Sequence, residues 1–191
     1  FALYANLDNF NYQDGEVELK DRTESDRWVI SKLNSLIKEV DEALETYEPT
    51  KAGRLIQDFT IDDLSNWYVR LNRKRFWKGE YNEDKKAAYQ TLYTCLEVIS
   101  KLAASIAPFY MDKLFLDLNA VSKRENVTSV HWADFPKSNE NQIDSELEER
   151  MAYAQNISSL VHSLRKKESI KVRQPLLKVM IPSKGDVFEK Q

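Results

Sequence analysis

The sequence contains little glycine and proline, with 4 Gly and 5 Pro among 191 residues. A β-sandwich or barrel needs many tight turns, and those turns depend on these two residues. The scarcity therefore argues against an all-β fold. Hydrophobic residues make up 42% and charged residues 31% of the chain, which is enough to bury a core beneath a charged surface. Long helices are the favoured architecture.

Cysteine is also scarce, since Cys95 is the only one. A single cysteine excludes an intramolecular disulfide and a cysteine zinc cage, and it fits a reducing compartment. The sequence has no apolar run of about 18 residues, the length typical of a membrane helix, and no basic-then-apolar leader. We expect a cytoplasmic protein with no membrane partner.

An excess of positive charge is missing too. The 28 basic residues are outnumbered by 31 acidic ones, giving a formal net charge of −3. A domain that coats nucleic acid over its whole surface is usually basic. Any contact with RNA must therefore be confined to a local patch.

Residues that could carry catalysis are sparse. Cys95 lies on the apolar stripe of a predicted helix and is interpreted as a buried structural thiol. His131 and His162 have no Cys or His at metal-ligand spacing. The glycines are too far apart to form a phosphate-binding loop. We expect no catalytic residue and no metal ligand in this chain.

Apolar residues at three-four spacing predict several helices. One stripe begins after the capping side chains around Thr23 and ends before Pro49. A second stripe breaks between Phe59 and Leu64, which predicts a kink or irregular turn near Thr60. Gly79 is predicted at the C′ position of the helix that follows. Further stripes occupy residues 82–106, 109–118 and 144–164, separated by Pro108 and by a connection.

Two segments lack helical periodicity. Residues 129–136 are interpreted as an extended segment on the bundle, held there by His131 and Trp132. Residues 170–181 are rich in β-branched and apolar side chains and predict one or two strands divided at Pro175. The expected fold is therefore mostly α, an antiparallel helical bundle with a short β segment at the C-terminal end.

The strongest local feature is a basic and aromatic cluster in residues 67–78. It contains five cations and four aromatics but no acid. Cations beside an exposed ring can neutralise phosphates and stack an unpaired base. A solvated face whose basic side chains cover the edge of the core remains an alternative. The candidate RNA-binding residues are Arg70, Arg73, Lys74, Arg75, Trp77 and Lys78.

A second basic cluster follows the last predicted helix. Cations near a helix C-terminus are favourable for dipole reasons alone, so this cluster ranks below the first. Its candidate residues are Arg165, Lys166, Lys167, Lys171 and Arg173. Arg22 and Arg27 are further secondary candidates.

Five strings, in order along the chain, resemble the anticodon-binding domains of class Ia aminoacyl-tRNA synthetases. Asp26-Arg27-Trp28-Val29-Ile30-Ser31-Lys32-Leu33-Asn34 is similar to the opening of these domains in isoleucyl, valyl and leucyl enzymes. Residues 64–77, ending in Arg75-Phe76-Trp77, resemble the isoleucyl branch. Ile106-Ala107-Pro108-Phe109 and residues 129–136 are similar to shared family strings. Lys171-Val172-Arg173-Gln174-Pro175-Leu176 resembles isoleucyl enzymes most closely.

The resemblance implies a module that docks the anticodon stem and loop of isoleucine tRNA. The implied parent enzyme attaches isoleucine to that tRNA with ATP and works as a monomer. The class I strings His-x-Gly-His and Met-Ser-Lys do not occur here, so no cofactor is expected in this chain. ATP with magnesium, and zinc as a further candidate, would bind the parent's other parts. Its catalytic and C-terminal domains are expected partners in cis.

The domain organisation follows from the same resemblance. We expect residues 1–168 to form the helical anticodon-binding domain with a truncated first helix, and residues 169–191 to begin a C-terminal junction subdomain. Two alternatives remain open. One is the corresponding domain of a valyl or leucyl enzyme, and the other is a helical adaptor that binds a protein.

Overall fold

The fold is mostly helical. The computed structural model describes residues 1–12 and 15–181, and the chain divides into two compact units, Phe1–Glu149 and a second that begins at Arg150. The predicted domain boundary after residue 168 stays a prediction. The α-helices are α1 (Ala2–Leu7), α2 (Glu24–Glu45), α3 (Pro49–Asp58), α4 (Arg70–Trp77), α5 (Glu83–Leu102), α6 (Pro108–Ser122) and α7 (Ser145–Lys167).

Helix α2 is fixed at its start by a capping box. The Thr23 side chain accepts from the backbone NH of Asp26, and the Asp26 carboxylate accepts from the backbone NH of Thr23. Two backbone donors of the first turn are thereby satisfied, as expected for this motif. The apolar stripe that follows is buried from Trp28 to Ala43, and α2 packs against α3 and α5.

The next helical stretch runs without interruption from Pro49 to Trp77. Pro49 opens α3, where its fixed φ and missing NH cost nothing. Phe59–Val69 forms a π-helix between α3 and α4, which explains the five-residue step from Phe59 to Leu64, because π-helical hydrogen bonds join residues five apart. The predicted irregularity is present, but it is helical and not a turn. Gly79 has φ +84 after α4, which confirms it at C′.

Helix α5 is the most buried helix of the first unit. The Asn82 side chain caps it by accepting from the backbone NH of Lys85 at 2.9 Å. Cys95 is fully buried, which confirms it as a core residue, and burial raises the pKa of its thiol. Pro108 opens α6, so the predicted break between these helices is confirmed.

The connection after α6 is held down differently from the prediction. Trp132 is 77% exposed and His131 is also exposed, so neither side chain pins the segment. Val130 is buried instead, against Ala104 and Phe115. Asp112 of α6 accepts from the backbone NH of Val130 at 2.8 Å. Val130 therefore anchors the segment, and the Trp132 side chain next to it faces outward.

In the second unit, the predicted β segment is wrong. Residues 170–181 contain turns and irregular structure, and no strand occurs in the described part of the chain. A β-rich composition cannot form a strand without a neighbouring extended segment to accept its hydrogen bonds. The chain turns after α7 at Ser169, and the Arg165 guanidinium donates to the carbonyl oxygens of Lys171 at 2.8 Å and Gln174 at 3.0 Å.

Candidate nucleic-acid interface

Helix α4 presents two chemically different sides. Its inward side carries Asn72 and Phe76, both buried, and continues the buried stripe from Leu64 and Tyr68. The Asn72 amide donates to the Tyr68 carbonyl at 2.9 Å, while the Phe76 ring lies 5.6 Å from that of Tyr89 on α5. The four-residue spacing of these side chains decides which side of α4 turns away from the core.

The outward side of α4 carries the cations. We define the outer face as Arg70, Arg73, Lys74, Trp77 and Lys78, all of them exposed. At about 100° per residue, the first four fall within an arc of roughly 100°. Within residues 1–12 and 15–181, none of the four cations has a hydrogen bond or ion pair from its side chain. Trp77 is 50% exposed, so its side chain is partly accessible to a ligand.

Arg75 stands apart from these cations, because its side chain turns inward and is only 15% exposed. Its Nη1 and Nη2 atoms donate to the two carboxylate oxygens of Asp26 at 2.9 and 2.8 Å. Its Nε and Nη2 atoms donate to the two oxygens of Asp84 at 3.0 and 2.8 Å. All three nitrogens of the guanidinium therefore have protein acceptors, which favours a role in the fold, and the assignment of Arg75 to RNA stays a prediction.

Asp26 is the buried centre of this arrangement and has no exposed surface. It accepts from Tyr68 Oη at 2.5 Å and from Thr23 Oγ1 at 2.8 Å as well as from Arg75. Burial alone would raise the pKa of Asp26, but the hydrogen bonds from Arg75, Tyr68 and Thr23 outweigh it, so its pKa is lowered. The carboxylate therefore stays charged and paired at neutral pH.

Most other cations of the first unit are neutralised by neighbouring acids. Lys85 pairs with Asp8 at 2.6 Å, and Lys101 pairs with Glu125 at 2.5 Å. Arg22, a secondary RNA candidate, donates to the Val17 carbonyl and to the Thr91 hydroxyl, both at 3.0 Å. These bonds hold Arg22 in the fold. Arg27 is exposed on α2 and keeps its place as a secondary candidate.

The second basic cluster lies in the second unit. Arg165 is engaged with the carbonyl oxygens of the turn after α7, so it stabilises the helix C-terminus. The other four members of the cluster are exposed. They are Lys166, Lys167, Lys171 and Arg173. Their assignment to RNA stays a prediction.

Sequence reasoning missed the acids that hold Arg75. Asp26 and Asp84 lie in the first turns of α2 and α5, where a carboxylate is expected from the helix dipole alone. One signal was available in the helical phase, because Arg75 lies outside the arc of the other cations. The identity of its partners was not, since they are 49 and 9 residues away along the chain.

Comparison with known proteins shows that most of this chain matches one protein family. The family described as anticodon-binding domain of tRNA ligase matches residues 26–181. The match contains Asp26, the π-helix, the outer face and residues 150–181 of the second unit. Within the described residues, no group of three His, Cys, Asp or Glu side chains could hold a metal ion, and no helix has the length and apolarity to cross a bilayer.

Individual relatives carry one name. An isoleucine–tRNA ligase from Cytophaga hutchinsonii is 71% identical over 182 residues, which is 95% of this chain and 16% of the relative. Isoleucine–tRNA ligases from Bacteroides thetaiotaomicron and Bacteroides fragilis are 60% and 58% identical, over 95% and 98% of this chain and 16% of each relative. The chain thus spans about a sixth of the length of these relatives.

Proposed function

This chain belongs to the family of anticodon-binding domains of tRNA ligases, and from that premise we propose that the outer face of α4 binds the anticodon stem and loop of a tRNA. The observation that carries the proposal is the set of four unpaired, exposed cations around a half-exposed tryptophan. Phosphate contacts dominate affinity for nucleic acids, and an exposed ring can stack an unpaired loop base.

The chemistry of the outer face suits a tRNA loop better than a regular duplex. Sequence-specific recognition of RNA uses single-stranded loops, whose bases can leave the stack and meet aromatic or guanidinium planes. Trp77 is flanked by Arg73 and Lys74 on the same arc. A base stacked on Trp77 would have a phosphate-binding cation on either side. Because the chain as a whole has a net negative charge, attraction of RNA depends on local basic patches such as this face.

We assign isoleucine tRNA as the substrate because the relatives are named isoleucine–tRNA ligases and one of them is 71% identical over 95% of this chain. The proposal extends to the longer protein. It attaches isoleucine to its tRNA with ATP and magnesium bound by domains outside this chain, with zinc as a further candidate there. It acts as a monomer in the cytoplasm, and its catalytic and C-terminal domains hold the same tRNA.

The test is a titration of the purified chain with isoleucine tRNA, valine tRNA and an unrelated RNA stem-loop at several salt concentrations. The proposal predicts salt-dependent binding that is tightest for isoleucine tRNA. Equal affinity for all three would place identity reading in other domains of the enzyme. Absence of binding even at low salt would contradict the proposal and favour a helical adaptor, whose binding to a protein would be insensitive to salt.

A further inference from the structure

Helix α4 is tied to two other helices through one side chain, and we propose that Arg75, gripped by Asp26 and Asp84, is a positioning residue that sets the orientation of the outer face for tRNA. The inference rests on the proposed function and deepens it. It assigns the affinity of the outer face in part to three residues that do not touch RNA.

We call the guanidinium of Arg75 with the carboxylates of Asp26 and Asp84 the clamp, and its geometry is specific. Each carboxylate meets the guanidinium with two oxygens at 2.8–3.0 Å, so the planar fork is clamped on two of its edges. Bidentate pairs of this kind fix direction as well as distance. A lysine at the same position could not reproduce it, because an ammonium is a point charge without a fork.

The two carboxylates of the clamp, Asp26 and Asp84, are themselves held in place. Asp26 is the third residue of α2 and Asp84 is the second residue of α5, each placed by the cap that begins its helix. Thr23 and Asn72 add acceptors for Nη1 at 3.3 and 3.1 Å. The guanidinium is therefore held to the N-terminal turns of two helices, and α4 is held with it.

The clamp lies next to the residues it positions. Arg73 and Lys74 precede Arg75 immediately, and Trp77 and Lys78 follow within three residues. Helix α4 has only eight residues and is preceded by the π-helix, whose hydrogen-bond pattern differs. The clamp gives α4 a fixed point in addition to its buried residues Asn72 and Phe76, and so restrains its rotation about the helix axis. Simultaneous phosphate contacts by several cations require that rotation to be constant.

Direct contact between Arg75 and a phosphate predicts the opposite response to removal of an acid. If Arg75 bound RNA itself, loss of the Asp84 carboxylate would free the guanidinium and remove a repulsive charge, so binding would tighten. If Arg75 positions α4, the same change loosens the clamp and binding weakens although the protein has become less acidic. The sign of the effect separates the two roles.

The experiment compares Asp84→Asn with the parent chain for binding to isoleucine tRNA. Asp84 is half exposed, so its replacement leaves the core intact. The matched control is Glu80→Gln, an exposed acid between α4 and α5 that removes the same charge without touching the clamp. We expect Asp84→Asn to weaken binding by about threefold or more, Asp84→Glu to restore part of it, and Glu80→Gln to bind as tightly as the parent or tighter.

A second variant, Arg75→Lys, keeps the charge and removes the fork. The positioning role predicts a logarithmic salt dependence that is flatter by more than the value of about 0.7–0.9 for a single lost phosphate contact, because several cations lose their alignment together. The inference is overturned if folded Asp84→Asn binds tRNA as tightly as the parent or tighter, or if Arg75→Lys keeps the parental salt dependence. Absence of tRNA binding by the parent would overturn the proposed function and this inference together.

Discussion

Arg73 and Arg75 are two residues apart on one short helix, yet their environments are opposite. The Arg73 side chain is exposed and unpaired within the described residues, whereas the Arg75 guanidinium is enclosed by Asp26 and Asp84. The two residues are the same amino acid in the same basic run. The contrast shows that a cluster of cations is not one functional unit. The partners of each side chain decide whether it serves the fold or an external ligand.

The largest expected effect is a loss of stability when the buried ion pair between Asp26 of α2 and Arg75 of α4 is broken. Asp26→Ala removes one of the two carboxylates that hold Arg75 and leaves the buried Tyr68 hydroxyl without its acceptor, so it should lower the free energy of unfolding by about 3 kcal/mol. Arg73→Ala changes an exposed side chain and should stay within about 0.5 kcal/mol of the parent. Urea denaturation followed by circular dichroism measures both. A similar loss of unfolding free energy in Asp26→Ala and Arg73→Ala would contradict the different roles assigned to Arg75 and Arg73.

The next effect concerns RNA and the outer side. Trp77→Ala should weaken tRNA binding by about 1–3 kcal/mol, the range typical of a stacked base. Trp132→Ala is the matched control, because Trp132 is more exposed than Trp77 and lies outside α4. Filter binding of isoleucine tRNA measures both variants. Parental affinity in folded Trp77→Ala would exclude the stacking role while leaving the phosphate contacts in place.

A smaller effect on stability is expected when the Asp26 carboxylate is protonated at acidic pH. Because the pKa of Asp26 is lower in the folded protein than its ordinary value of 3.8, the stability it contributes is present above that value and is lost as the pH falls through the folded pKa. The difference in unfolding free energy between the parent and Asp26→Asn should therefore shrink below about pH 4. A difference that stays constant down to pH 2 would contradict the charged pair.

Much of the helical framework could be predicted because its boundaries depend on local chemistry. Thr23, Asn82, Pro49 and Pro108 act within one helical turn, so the sequence around each is sufficient. The π-helix left a visible trace as the five-residue step after Phe59. Its hydrogen bonding could not be inferred, because the same step also fits a turn.

The failures share one physical origin, which is dependence on distant partners. The strands predicted in residues 170–181 required a neighbouring strand, and β propensity does not supply one. The segment around Trp132 was expected to be held by its largest side chain, but Val130 packs against Ala104 and Phe115 instead, and these partners lie 26 and 15 residues away along the chain. The two acids that hold Arg75 were missed because composition does not reveal side chains brought close by folding.

The central claim is that the outer face of α4 contacts phosphates. It is tested most directly by the salt dependence of isoleucine tRNA binding for Arg73→Gln and Arg54→Gln, which remove the same charge from exposed positions on α4 and α3. The account predicts a logarithmic slope that is flatter by about 0.7–0.9 for Arg73→Gln and unchanged for Arg54→Gln. A parental slope for Arg73→Gln, or an equal decrease in both variants, would contradict it.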